Sequence, residues 1–82
     1  MDIIYTDYVE DSISDRKIDK KIIEDALLNP DEILEGKKNR KIAHKIIGEK
    51  LLRVIFGISQ KAYIVITAYY AEPKRYFEKD EN

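Results

Sequence analysis

The sequence predicts an α+β domain in which two N-terminal helices pack on one face of an antiparallel sheet of three to four strands. Apolar residues recur at helical spacing before Pro30. A short segment at 31–35 fits an edge strand and precedes a loop at 36–39. Three longer runs rich in β-branched and aromatic residues then predict strands over 40–47, 50–58 and 61–70. Only short turns separate these runs, so the strands pair as antiparallel hairpins.

The first segment, residues 2–16, fits two local structures. Ile4, Tyr8, Val9 and Ile13 lie along one stripe of a helix, with Thr6 as a possible N-cap. Ile3-Ile4-Tyr5 fits the start of a short strand equally well on composition. The longer apolar stripe favours the helix.

The second helix has clear signals at both ends. Asp19 is a favourable N-cap, and Ile18 before it is placed to pack on Ile23. Asn29-Pro30 ends the helix, because proline disfavours helical geometry in the residue before it. The residues predicted to face the core are Ile22, Ile23, Ala26 and Leu27.

The turn between the first two long strands fixes their pairing. Gly48-Glu49 suits a type II′ turn, which places glycine at the first central position. With this turn, His44 lies directly opposite Arg53 on one face of the sheet. The other face then carries the predicted core residues Ala43, Leu52, Val54 and Phe56.

The third long strand fits the second in two registers. A three-residue loop places Ile64, Ile66 and Ala68 in the core and puts Tyr63, Thr67 and Tyr69 beside Arg53, and a two-residue loop exchanges the two sets. In both cases the face that carries Arg53 also carries Ile42, Ile46, Leu51 and Ile55. This face is more apolar than a water-exposed surface should be, which points to a cover from a partner or from the N-terminal segment.

Length and composition exclude several classes of protein. Eighty-two residues form one domain, 1–82, with an acidic tail at 78–82 that predicts disorder. The chain has no cysteine and a single histidine, so we expect no disulfide, no metal centre and no cofactor. No apolar run approaches the roughly 20 residues of a membrane span, and Met1-Asp2-Ile3-Ile4 does not begin a signal peptide. The expected location is the cytoplasm.

The charges are divided between the two parts of the chain. Residues 1–35 carry four Lys or Arg and eleven acids, whereas residues 36–77 carry ten Lys or Arg and two acids. A basic sheet with several tyrosines is typical of a surface that binds a polyanion. The same lysines would also serve to protect exposed strand edges against aggregation, and the charge pattern alone does not separate the two interpretations.

His44 and Arg53 form the most specific pair of polar residues. A neighbouring Arg disfavours protonation of His44, which keeps a neutral imidazole available for acid–base chemistry. The alternative is a cross-strand polar pair without chemistry. Arg53 is the stronger single signal, because it lies mid-strand between Leu52 and Val54. No phosphate-binding glycine loop or nucleophile elbow occurs in the sequence.

These features, in order, resemble a small toxin domain of the RelE/ParE superfamily, closest to its compact BrnT-like members. The similarity runs from about residue 16 to 77. Five short segments, one at the end of the second helix and the others in or after the strands, carry it: Ala26-Leu27-Leu28-Asn29-Pro30, Arg40-Lys41-Ile42-Ala43-His44-Lys45, Leu52-Arg53-Val54-Ile55-Phe56, Val65-Ile66-Thr67-Ala68-Tyr69 and Arg75-Tyr76. The resemblance implies a RelE-like fold and, in active members, mRNA cleavage without a metal, in which the RNA's own 2′-OH attacks the adjacent phosphate.

The resemblance also implies roles for individual residues. Arg53 stabilises the phosphate in the transition state, and Arg75 and Tyr76 assist the leaving group. His44 is the remaining catalytic candidate, and the group near the nucleophile is Lys41, His44 or Lys45. The RNA-binding candidates are Lys41, Lys45 and Lys74.

The leading hypothesis is the toxin component of a type II toxin–antitoxin pair, acting as a metal-independent mRNA endoribonuclease. Its expected partners are RNA or the ribosome and an antitoxin protein, with no membrane. ParE-like members share the fold without the ribonuclease residues, so the alternative is a non-catalytic RelE-fold module that binds RNA or a protein partner. Its oligomeric state stays open.

Overall fold

Five strands and three helices make up the structure, a computed structural model that describes residues 2–77, with only the backbone for Tyr76 and Phe77. In chain order the elements are β1 (Asp2–Tyr5), α1 (Asp7–Arg16), α2 (Lys20–Leu28), β2 (Glu32–Glu35), β3 (Lys41–Ile47), β4 (Lys50–Ser59), β5 (Ala62–Ala71) and α3 (Lys74–Phe77). The strands form one sheet in the order β1-β5-β4-β3-β2. The predicted α+β class is confirmed, but the sheet has five strands rather than three or four. The tail 78–82 lies outside the described residues.

The N-terminal segment contains both of the structures that its sequence allowed. Residues 2–5 form β1, which pairs with β5 in parallel and makes the sheet mixed. Thr6 is extended, and its side chain accepts a hydrogen bond from the Val9 amide at 3.2 Å, so it caps α1 as predicted. The favoured helix over 2–16 is therefore wrong before Asp7. A helix there would leave the edge of β5 without its backbone partner.

The helix α2 has the predicted ends and the predicted buried face. The Asp19 carboxylate accepts a hydrogen bond from the Lys21 amide at 2.9 Å, and Asn29 follows the last helical residue. Both α1 and α2 pack on the same face of the sheet. The core between them and the strands contains Val9, Ile13, Ile18, Ile23, Ala26, Leu27, Ala43, Leu52, Val54, Phe56, Val65 and Ala68.

The β3–β4 hairpin has the predicted register. Gly48 has φ 62°, a conformation that glycine adopts without a steric penalty. Ile47 lies opposite Lys50, and His44 lies opposite Arg53. The alternation of side chains along β4 then directs Leu52, Val54 and Phe56 into the core.

The β4–β5 turn lies later in the chain than either predicted loop, and a bulge in β5 gives each half of the strand a different one of the two predicted facings. A two-residue turn, Gln60-Lys61, pairs Ser59 with Ala62, and this register continues to Phe56 opposite Val65. The next pair is Ile55 with Thr67, so Ile66 is the extra residue.

The bulge decides which face each half of β5 presents. Near the turn, Tyr63 packs against the core, as the two-residue loop predicts. Beyond Ile66 the side chains face as the three-residue loop predicts, with Ala68 buried in the core and Tyr69 opposite Arg53, although the register itself is shifted by four residues along β5. Each alternative is therefore correct for one half of the strand.

Candidate functional site

The face of the sheet away from α1 and α2, called the open face below, carries three rows of side chains that run across the strands. The strand registers place Glu32, His44, Arg53 and Tyr69 side by side, and we call these four residues the polar row. One flanking row contains Ile46, Leu51 and Ala71. The other contains Leu34, Ile42, Ile55 and Thr67.

Two contacts order the polar row. His44 Nδ1 lies 3.0 Å from Glu32 Oε1, and the His44 side chain is fully buried. When Nδ1 carries the ring proton, it donates to Glu32, which fixes the orientation of the imidazole. On the other side, the Arg53 guanidinium carbon lies 5.6 Å from the centre of the Tyr69 ring, which is within cation–π range. The row thus holds an oriented imidazole next to a half-buried guanidinium.

The two flanking rows contain the apolar residues that the sequence placed on the same face as Arg53. Leu51 is fully buried, Ile42 and Ile55 are half-buried, and Ile46 is 40% exposed. Leu51 nevertheless does not belong to the core cluster between the helices and the sheet. Hydrophobic neighbours lower the local dielectric constant, so the guanidinium of Arg53 interacts more strongly with an anion there than it would in water.

Lys41 and Lys45, predicted to bind RNA, lie on the other face of β3 from His44. Side chains alternate along a strand, which places both with Ala43 on the helix side. Lys41 Nζ forms an ion pair with Glu35 at 2.6 Å. Lys45 Nζ donates to the carbonyl of Asn29 at 2.7 Å. The structure therefore does not bring these two lysines to Arg53, and their contact with RNA stays a prediction.

The remaining predicted residues lie on α3. Lys74 and Arg75 are exposed and line a cavity of about 620 Å³ together with Glu49, Glu72 and Pro73. The side chain of Tyr76 lies outside the described part of the chain. These residues follow β5 at the end of the sheet near the Gly48-Glu49 turn, on the far side of the Leu51 row from Arg53.

The sequence did not predict Glu32 as the partner of His44, and it did not decide whether Tyr69 lies beside Arg53. The β2–β3 loop over 36–40 pairs Glu35 with Lys41, and that register brings Glu32 opposite His44. The loop predicted at 36–39 would have placed Asp31 opposite His44, so the one additional loop residue decides this contact. Tyr69 was one of two alternatives, because the bulge at Ile66 has no signal in the sequence.

The described residues also bear on metal binding and membranes. Among residues 2–77, no group of three or more His, Cys, Asp or Glu side chains is arranged to hold a metal ion. In the same part of the chain, no helix is long and apolar enough to cross a membrane.

A family model described as a domain of unknown function, DUF4258, matches residues 5–70. This match covers most of the chain, including both long helices and the polar row, so the protein belongs to the DUF4258 family. No curated protein and no solved structure matches the chain.

Proposed function

We propose that this protein is the toxin of a type II toxin–antitoxin pair and that it cleaves mRNA without a metal, with RNA bound across the open face. The position of Arg53 carries the proposal. Arg53 lies mid-strand between His44 and Tyr69, with an apolar row on either side of the polar row. A guanidinium forms charge-assisted hydrogen bonds with phosphate oxygens, and apolar neighbours strengthen its interaction with an anion such as an RNA phosphate.

The polar row supplies groups for attack by the 2′-OH on the adjacent phosphate. The His44 imidazole is buried in the free protein, and in this mechanism RNA binding exposes it. His44 then takes the 2′-OH proton, and the new oxygen–phosphorus bond forms while the bond to the 5′ oxygen breaks. Arg53 donates to the phosphate oxygens as charge develops on them. The products are a 2′,3′-cyclic phosphate and a 5′-OH. Either Tyr76 gives its hydroxyl proton to the leaving 5′ oxygen, or Arg75, which stays protonated, stabilises the charge on that oxygen while water supplies the proton. His44 is the one predicted base on the same face as Arg53, since Lys41 and Lys45 point to the helices.

The test is inducible expression of the wild type, Arg53→Ala and Lys50→Ala, with growth and RNA integrity as readouts. Lys50 is an exposed cation on the same strand, which makes it the matched control. Loss of one preorganised donor lowers the rate by about 10²–10³-fold, so Arg53→Ala should be non-toxic and Lys50→Ala toxic. Circular dichroism must show that both variants fold. Purified wild type should cleave RNA equally well with a metal chelator.

Two outcomes contradict the proposal. One is a folded wild type that neither slows growth nor cleaves RNA. The other is an Arg53→Ala variant that is as toxic as the wild type.

The burial of His44 favours a second candidate function, a non-catalytic module that binds RNA or a protein partner. A fully buried imidazole whose Nδ1 contacts Glu32 is also what a structural cross-strand pair requires. In that case His44→Gln should lower the free energy of unfolding while RNA remains intact in cells expressing the wild type.

A further inference from the structure

The β2–β3 loop forms a second basic feature next to the polar row. A cavity of about 670 Å³ lies between this loop and the sheet. Its floor is the register pair Ile42–Ile55, and its rim carries Lys37, Lys38 and Arg40. The volume is within the range of small-ligand sites and accommodates a nucleotide.

The cations on the rim are held by an ordered turn. The Gly36 amide donates to the Arg40 carbonyl at 2.7 Å, and the Arg40 amide donates to the Lys37 carbonyl at 3.1 Å. Lys38 and Asn39 have φ 58° and 63°, as in the two central residues of a type I′ turn. Two backbone hydrogen bonds thus fix the loop before any ligand binds, which reduces the entropy lost on binding.

Among the described residues 2–77, no carboxylate neutralises the cations of the cavity rim. The carboxylate in its lining belongs to Glu35, and that group is already paired with Lys41. Within residues 2–77, Lys37, Lys38 and Arg40 form no ion pair, and all three are exposed. The rim is therefore a cluster of available cations above an apolar floor, a combination that fits a ligand with an apolar face and negative charge.

The position of the cavity relates it to Arg53. Ile55 and Arg53 are two residues apart on β4 and face the same side, so about 7 Å separates them along the strand. Resting on the proposed RNA-cleaving function, we propose that this cavity binds the nucleotide next to the scissile phosphate. The base lies on Ile42 and Ile55, and the backbone phosphates contact Lys37, Lys38 and Arg40. A regular polyanion with flat apolar bases matches both features of the cavity.

The test measures binding of a fluorescein-labelled oligouridylate over a series of salt concentrations. Lys37→Gln/Lys38→Gln removes two rim cations, and Lys21→Gln/Lys61→Gln removes two exposed cations elsewhere as the matched control. The rim variant should lower affinity about tenfold at low salt and flatten the logarithmic salt slope by about 1.4, since each phosphate contact on a single strand contributes about 0.7. The control should keep the wild-type slope.

A floor variant separates the base contact from the phosphate contacts. Ile55→Thr keeps a β-branched side chain in the strand but removes apolar surface, so affinity should fall about fivefold with an unchanged salt slope. Thermal unfolding checks that each variant is folded. The floor effect would identify base contact, which net charge alone cannot produce.

Several results would overturn this assignment. The first is an equal change of the salt slope in the rim and control variants, and the second is a wild type that does not bind RNA. The third is a fluorescent Glu-Leu peptide that binds more tightly than the oligouridylate, which would make the cavity a site for an acidic protein segment. The two proposals fail separately. If cleavage requires Arg53 but is unchanged in the rim variant, the nucleotide site alone is refuted. If RNA binding requires the rim cations but no cleavage occurs, the endoribonuclease alone is refuted.

Discussion

Truncating Phe56 to alanine removes an edge-to-face aromatic contact in the core. The Phe56 side chain is 2% exposed, and its ring meets that of Tyr63 edge to face, with centroids 5.4 Å apart and an interplanar angle of 78°. Burial of this kind makes Phe→Ala cost about 3–5 kcal/mol. At about 0.05–0.15 kcal/mol per residue, a chain of 82 residues has a free energy of unfolding of about 4–12 kcal/mol. The substitution therefore removes a large part of the total stability.

Urea denaturation followed by far-ultraviolet circular dichroism measures this loss. Phe56→Leu serves as the first control, because it keeps most of the apolar volume and gives up the ring contact, worth about 0.5–1.5 kcal/mol. Ile58→Ala is the second, since Ile58 lies two residues along β4 but is 50% exposed and should cost much less than Phe56→Ala. A loss below about 1 kcal/mol for Phe56→Ala, or equal losses for Phe56→Ala and Ile58→Ala, would refute the assignment of Phe56 to the core.

Two further predictions concern the edge of β5 and the response to alkali. Arg16 Nη1 donates to the carbonyl of Ala68 at 2.8 Å, in the part of β5 that does not pair with β1. Arg16→Ala should therefore lower the free energy of unfolding, measured by urea denaturation, by about 1 kcal/mol. An unchanged free energy of unfolding would show that water fully replaces this hydrogen bond. Burial raises the pKa of Tyr5 from 10.0 to about 12, and the carboxylates of Glu24 and Glu10 add to the effect. The neutral phenol of Tyr5 stabilises the fold below pH 10, and this stabilisation is lost as the pH rises through about 12. Over this interval the free energy of unfolding should fall less for Tyr5→Phe than for the wild type. Parallel plots of unfolding free energy against pH for the two proteins would contradict the shifted pKa of Tyr5.

Local signals in the sequence predicted those parts of the fold that local chemistry determines. Asp19 caps α2 because its short carboxylate reaches a free amide, and Gly48 closes the β3–β4 hairpin because it tolerates positive φ. The tight turn then fixed the pair His44–Arg53 without reference to the rest of the chain.

The parts that were missed depend on contacts between distant segments. Whether Ile3 and Tyr5 form a strand depends on a free edge of β5, which lies about sixty residues away in the chain. The bulge at Ile66 follows from packing on both faces of β5, and no turn residue marks it. Glu32 was missed because the β2–β3 loop is one residue longer than predicted, and Tyr69 stayed one of two alternatives because the bulge at Ile66 decides which face it occupies.

The parallel pairing of β1 with β5 has a consequence for how the chain folds as it is synthesised. β1 and α1 leave the ribosome early, yet β1 pairs with β5 and Arg16 at the end of α1 bonds to Ala68, within the last long strand to be made. Until residues 62–71 have emerged, these two elements lack their partner and their apolar side chains stay exposed. The native sheet therefore forms only late in translation, and pairings between such distant segments form slowly. The excess of acids over bases in residues 1–35 gives the emerged segment a net negative charge, which favours its solubility during this interval.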